Sequence, residues 1–73
     1  MTKISLLAAR INSNLSQQEV ANALTKHFNI KYSRQRVSNI EKNPGEATIN
    51  EALFFSKLYK LPIDNLFFDV KST

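Results

Sequence analysis

The sequence has no cysteine, one glycine, two prolines and one histidine in 73 residues. Without cysteine there is neither a disulfide frame nor a thiolate zinc site, so packing alone must hold the fold. The same absence suits a reducing compartment, and a cytoplasmic protein is expected. His27 has no second imidazole to share a metal with, so it reads as a loop or partly buried side chain. No metal and no cofactor are expected. No apolar run approaches the ~20 residues of a membrane span. The opening Met1-Thr2-Lys3-Ile4 lacks the apolar stretch and small-residue cleavage site of a secretory leader. One glycine cannot make a glycine-rich phosphate loop, and no nucleophile–base pair stands at a recognisable spacing. The chain is also too short for a barrel or a dinucleotide-binding fold. A single domain over residues 1–73, neither an enzyme nor a binder of a small-molecule substrate, is the expectation.

What is present is positive charge, unevenly placed. Residues 1–45 carry seven bases against two acids, a net +5, whereas residues 46–73 carry three against four, a net −1. Five of the ten bases, Lys26, Lys31, Arg34, Arg36 and Lys42, lie within 26–42. Such a cluster concentrates positive potential where a polyanion can dock, although most clusters on small domains are merely solvated.

The pattern is helical throughout, with no sustained period-two alternation. Ser16-Gln17-Gln18-Glu19 is a capping box, followed by Val20, Leu24 and Phe28 at spacing four. It predicts a second helix running to about His27 or Phe28. Thr48-Ile49-Asn50-Glu51 is another capping box, opening a helix with the stripe Ala52, Phe55, Leu58 and Tyr59. Asn43-Pro44-Gly45 breaks the chain before it. A first helix is expected over Lys3 to Asn12, and a short last one after Leu61-Pro62 with Ile63, Leu66 and Phe67 as its apolar side. Ser33 caps a third helix over Arg34 to Lys42. The result is an all-α, compact five-helix bundle.

On the third helix Arg34, Gln35, Ser38, Asn39 and Lys42 share one face, and Val37, Ile40 and Glu41 the other. The first face has long, donor-rich side chains and no acid. Arginine bonds guanine O6 and N7 in bidentate fashion, and Gln or Asn pairs with adenine N6 and N7. The rival is an ordinary solvent face, which usually mixes Glu with Lys.

The segments Leu15-Ser16-Gln17-Gln18-Glu19-Val20-Ala21, Leu24, Ser33 to Asn43, Thr48 to Leu53 and Leu61 to Phe67 together resemble the lambda-repressor/Cro-like helix-turn-helix family. The resemblance covers residues 4 to 67 and implies a five-helix bundle of the lambda-repressor-like DNA-binding type, with a reading unit over about 16–42 and a short tail at 68–73. It implies a domain that binds a double-stranded DNA operator, usually as a homodimer. Carried over by position, Arg34, Gln35 and Asn39 are expected to read base edges, with Ser38 a further candidate. Gln17, Lys42 and Asn43 match phosphate-contacting positions, and Arg36 and Lys31 lie near enough to join them. The resemblance also implies that Arg10 meets Glu41 inside the domain as a structural ion pair.

One departure is large. The usual turn between the second and third helices has three or four residues, and here the connection over 25–32 is about six residues longer. Phe28, Ile30 and Tyr32 are expected to pack this insert onto the domain as a longer helix and an ordered loop. The stretched form resembles variants among small phage and mobile-element regulators. Ile4, Leu7 and Ile11 on the first helix, with Phe54 and Phe68, exceed what one small core needs, unless that core wraps further round each helix. They mark a candidate protein interface, either for a homodimer or for heteromeric contact with a larger repressor. Two functions follow: a Cro-like transcriptional regulator of a genetic switch, or an antirepressor or antitoxin-like partner that acts by binding another protein.

Overall fold

The computed structural model describes residues 4–66. It is all-helical over that span, with α1 (Leu6–Asn12), α2 (Gln17–Phe28), α3 (Arg34–Lys42), a 3-10 turn (Pro44–Glu46), α4 (Ile49–Tyr59) and α5 (Ile63–Leu66). Each longer helix begins where a hydroxyl can accept an orphan amide. Ser5 Oγ accepts from Ala8 N–H at 3.0 Å, so α1 starts at Leu6, later than the Lys3 expected. Both capping boxes form, at Ser16/Glu19 and at Thr48/Glu51. Ser33 Oγ accepts from Arg36 N–H at 3.2 Å and opens α3 at Arg34.

Two of the helices, α2 and α4, end on left-handed residues, neither of them glycine. Asn29 closes α2 with φ 59° and Lys60 closes α4 with φ 57°, while Asn14 adopts φ 59° between α1 and α2. After Lys60 the Leu61 amide returns to Ser56 O at 3.1 Å, and Ser56 Oγ donates to Leu61 O at 2.6 Å. The following Pro62 cannot continue the helix, and α5 begins. The Ile4 amide donates to Asn65 O at 2.9 Å, tying the start of the described chain to α5.

Every helix contributes to one core. Leu6 and Ala9 of α1, Val20, Ala21 and Leu24 of α2, Val37 and Ile40 of α3, Phe55 and Tyr59 of α4 and Leu66 of α5 are all buried. Burying each large aliphatic or aromatic side chain is worth about 1.5–3 kcal/mol, set against the entropy of ordering it. The Tyr59 ring stacks on Phe55 at 5.9 Å, but its buried hydroxyl has no hydrogen-bond partner among the described residues. Burial and then the neighbouring Glu41 charge push its ionisation upward, with Arg10 opposing. Removing an unsatisfied buried hydroxyl removes a desolvation cost. Tyr59→Phe is therefore expected to raise unfolding stability by about 1 kcal/mol, read from urea denaturation.

Candidate nucleic-acid interface

α3 sits on the domain by its apolar side. Val37 and Ile40 are fully buried, and the Glu41 side chain is turned inward. The opposite face carries Arg34, Gln35 and Lys42, all exposed, with Ser38 and Asn39 half-buried between them. Gln35 Nε2 donates to Asn39 Oδ1 at 3.0 Å, joining two of the candidate base-reading side chains across one helical turn. Asn43, at the end of α3, and Lys31, before its start, are exposed. Among the described residues, Lys31, Arg34 and Lys42 have no carboxylate partner, so their charge faces solvent.

Beneath this face lies a largely shielded ion pair. Arg10 Nε donates to Glu41 Oε2 at 2.6 Å, and its other end donates to the Leu15 carbonyl at 3.0 Å. Their side chains are 13% and 8% exposed, so the charges are screened by each other rather than by water. The pair expected from position 10 and position 41 thus forms, and it joins α1 to the end of α3.

Gln17 lies elsewhere than its expected role suggests. Its Nε2 donates to Glu41 Oε1 at 3.0 Å, so the amide group assigned to phosphate is turned inward onto the carboxylate. A half-buried Glu41 oxygen needs a donor, and Gln17 at the first position of α2 is the one within reach. What stays available there is backbone: Val20 N–H is the first to bond within the helix and Glu19 N–H goes to Ser16 Oγ, which leaves the Gln17 and Gln18 amides at the positive end of α2.

Arg36 is likewise engaged within the domain. Instead of facing outward toward phosphate, its guanidinium bonds Glu51 Oε1 at 2.9 Å and the Glu46 carbonyl at 3.2 Å, with the Glu46 carboxylate 3.9 Å away. Glu51 is the only buried charged residue among those described, at 4% exposure, and it needs this counter-charge. The same carboxylate accepts from Tyr32 Oη at 2.7 Å and from Thr48 N–H at 2.9 Å. Burial alone would raise the Glu51 pKa. The bonds from Thr48, Tyr32 and Arg36, with the Arg36 charge, outweigh it and hold the carboxyl below the usual glutamate range. Tyr32 is displaced the other way, pushed up to about 12 by burial, by the bond to Glu51 and by the Glu51 charge. Sequence reasoning took Glu51 only as half of a capping box and Tyr32 only as packing. Their convergence on Arg36 had no local signal.

The lengthened connection is ordered by two tethers. α2 absorbs part of it, running twelve residues to Phe28, and five residues, Asn29 to Ser33, remain as loop. Thr25 Oγ1 accepts from Tyr32 N–H at 2.8 Å while donating to Ala21 O at 2.9 Å. The Tyr32 ring lies 5.9 Å from Phe28. The loop tip, Ile30 and Lys31, is exposed.

The candidate protein interface contracts. Phe54 is half-buried, its ring 5.0 Å from His27 and 6.0 Å from Phe28, because the extra turn of α2 reaches over it. Ile4 is partly buried against the core. Leu7 and Ile11 do stand exposed, at 45% and 58%, on one side of α1. Phe68 lies outside the described residues. Ile30, expected to pack the insert onto the domain, is instead 61% exposed, and Ile49 and Leu53, which the sequence did not single out, add further apolar surface on α4. His27 is an exposed side chain at the end of α2. Among the described residues no group of three or more His, Cys, Asp or Glu gathers as a metal would require, and no helix is long and apolar enough to cross a membrane. Compared with known proteins, the chain matches no family model, no curated protein and no solved structure.

Proposed function

We propose that this chain is a sequence-specific, double-stranded-DNA-binding regulator of the lambda-repressor/Cro-like type, acting as a homodimer in the cytoplasm in a phage or mobile-element switch. The observation that carries the reading is the two-sidedness of α3. Its inner side is locked by buried Val37 and Ile40 and by the ion-paired Glu41, while its outer side offers Arg34, Gln35, Asn39 and Lys42 with no acid among them. In the proposed complex α3 lies in the major groove and Arg34, Gln35 and Asn39 reach base edges, with Ser38 beside them. Lys31, Lys42, Asn43 and the free amides at the start of α2 contact phosphate.

The test is selection of a duplex from a random-sequence pool, followed by titration at several salt concentrations. Affinity is expected to fall steeply with salt, because each neutralised phosphate releases condensed counterions. Arg34→Ala or Gln35→Ala is expected to weaken the selected duplex by about 1–3 kcal/mol per lost base contact. Equal affinity for every duplex, or indifference to both substitutions, overturns the reading. A second reading, an antirepressor or antitoxin-like chain that binds a larger repressor or another protein, is favoured by exposed Leu7 and Ile11. It requires Leu7→Glu to abolish partner capture while the domain stays folded.

A further inference from the structure

We infer that Tyr32, Glu51 and Arg36 form a positioning unit that aims α3 at DNA and so sets sequence selectivity. The inference rests on the DNA-binding reading above and extends it to residues that touch no base. α3 has only nine residues, about 13.5 Å of helix, and its connection to α2 is a five-residue loop. Val37 and Ile40 hold α3 along one line and the bonds of Arg10 and Gln17 to Glu41 hold its last turn, so the direction of the first turn depends on a separate anchor. The Glu51 carboxylate does so from both sides of the base-reading pair. Oε2 takes the hydroxyl of Tyr32, two residues before Arg34, and Oε1 takes the guanidinium of Arg36, one residue after Gln35. The carboxylate itself cannot drift, since Thr48 N–H holds Oε1 in the α4 cap. Thr25 fixes the Tyr32 backbone independently.

The physical consequence separates two kinds of contact. Bidentate base recognition is directional and depends on where the first turn of α3 points. Charge attraction to phosphate tolerates small rotations and carries no sequence information. Loosening the unit must therefore reduce preference among duplexes more than it reduces binding to DNA as such.

The experiment compares the duplex selected by the parent chain with a scrambled duplex of the same length. Tyr32→Phe keeps the ring beside Phe28 and deletes one arm. It is expected to weaken the selected duplex about tenfold, leaving the scrambled duplex and the salt slope unchanged, with a cooperative melt retained. In a double-mutant cycle, Gln35→Ala must cost less in the Tyr32→Phe background than alone. Should Tyr32→Phe melt below the assay temperature, Thr25→Val, which frees the loop without touching the carboxylate, has to give the same pattern. Equal weakening on both duplexes, additive cycles, or no change overturns the inference while the regulator reading stands. A parent chain that selects no duplex removes both.

Discussion

Arg10→Ala is expected to cost about 3–5 kcal/mol of unfolding free energy. The reason is what remains behind. Glu41 is 8% exposed, and without the guanidinium its carboxylate keeps, among the described residues, only the neutral Gln17 amide as donor. The Leu15 carbonyl also loses its bond, loosening the turn between α1 and α2. For a chain of this size each kcal/mol is worth about 4–8 °C in Tm, so the variant should unfold near or below body temperature if the parent is an ordinary mesophilic domain. The complementary change separates stranding from net attraction. Replacing both partners with apolar residues of similar volume, as in Arg10→Met with Glu41→Leu, should recover most of the loss, because a buried pair repays little beyond its own desolvation. A melt of Arg10→Ala that matches the parent rejects this account of the pair.

Glu51→Ala is the second large effect, expected at about 2–4 kcal/mol. It deletes the reciprocal half of the α4 cap and strands the Tyr32 hydroxyl; Arg36, 34% exposed, is partly rescued by water and by Glu46. The pH dependence has a definite sign. Because the folded Glu51 carboxyl is held below its ordinary range, its contribution is complete above the unfolded pKa of about 4.3 and disappears as pH falls through the lower folded value. The parent should thus lose stability progressively as the pH falls below the ordinary glutamate range, and the loss should be smaller in Glu51→Gln, measured by denaturant melts at descending pH. An identical acid slope in both proteins would show that Glu51 is not the group responsible.

The parts of this fold that were legible in the sequence are those decided within one turn of helix. Ser33, Ser16 and Thr48 cap the helices they precede, and Val37 and Ile40 face inward as their spacing demands. What was hidden depends on which distant groups meet. The charge of Arg36 is visible at position 36, but the carboxylate that claims it lies fifteen residues away. The Gln17 amide was assigned outward because its partner stands twenty-four residues on. Phe54 sits off the buried stripe of its own helix and is half-covered because α2 continues to Phe28. The lengthened connection hid most, since its order comes from the Thr25 hydroxyl and the Glu51 carboxylate together.

The single glycine of the chain, Gly45, stands in open space and does not take a positive φ, while the left-handed corners fall to Asn14, Asn29 and Lys60. The unfolded polymer is accordingly stiffer than one that turns on glycine and surrenders less disorder on collapse. Folding instead carries a steric toll at those corners, heaviest at Lys60, whose side chain lacks the short polar group that eases the two asparagines into this geometry. Of the three left-handed corners among the described residues, the joint between α4 and α5 is thereby the one whose tension is least relieved.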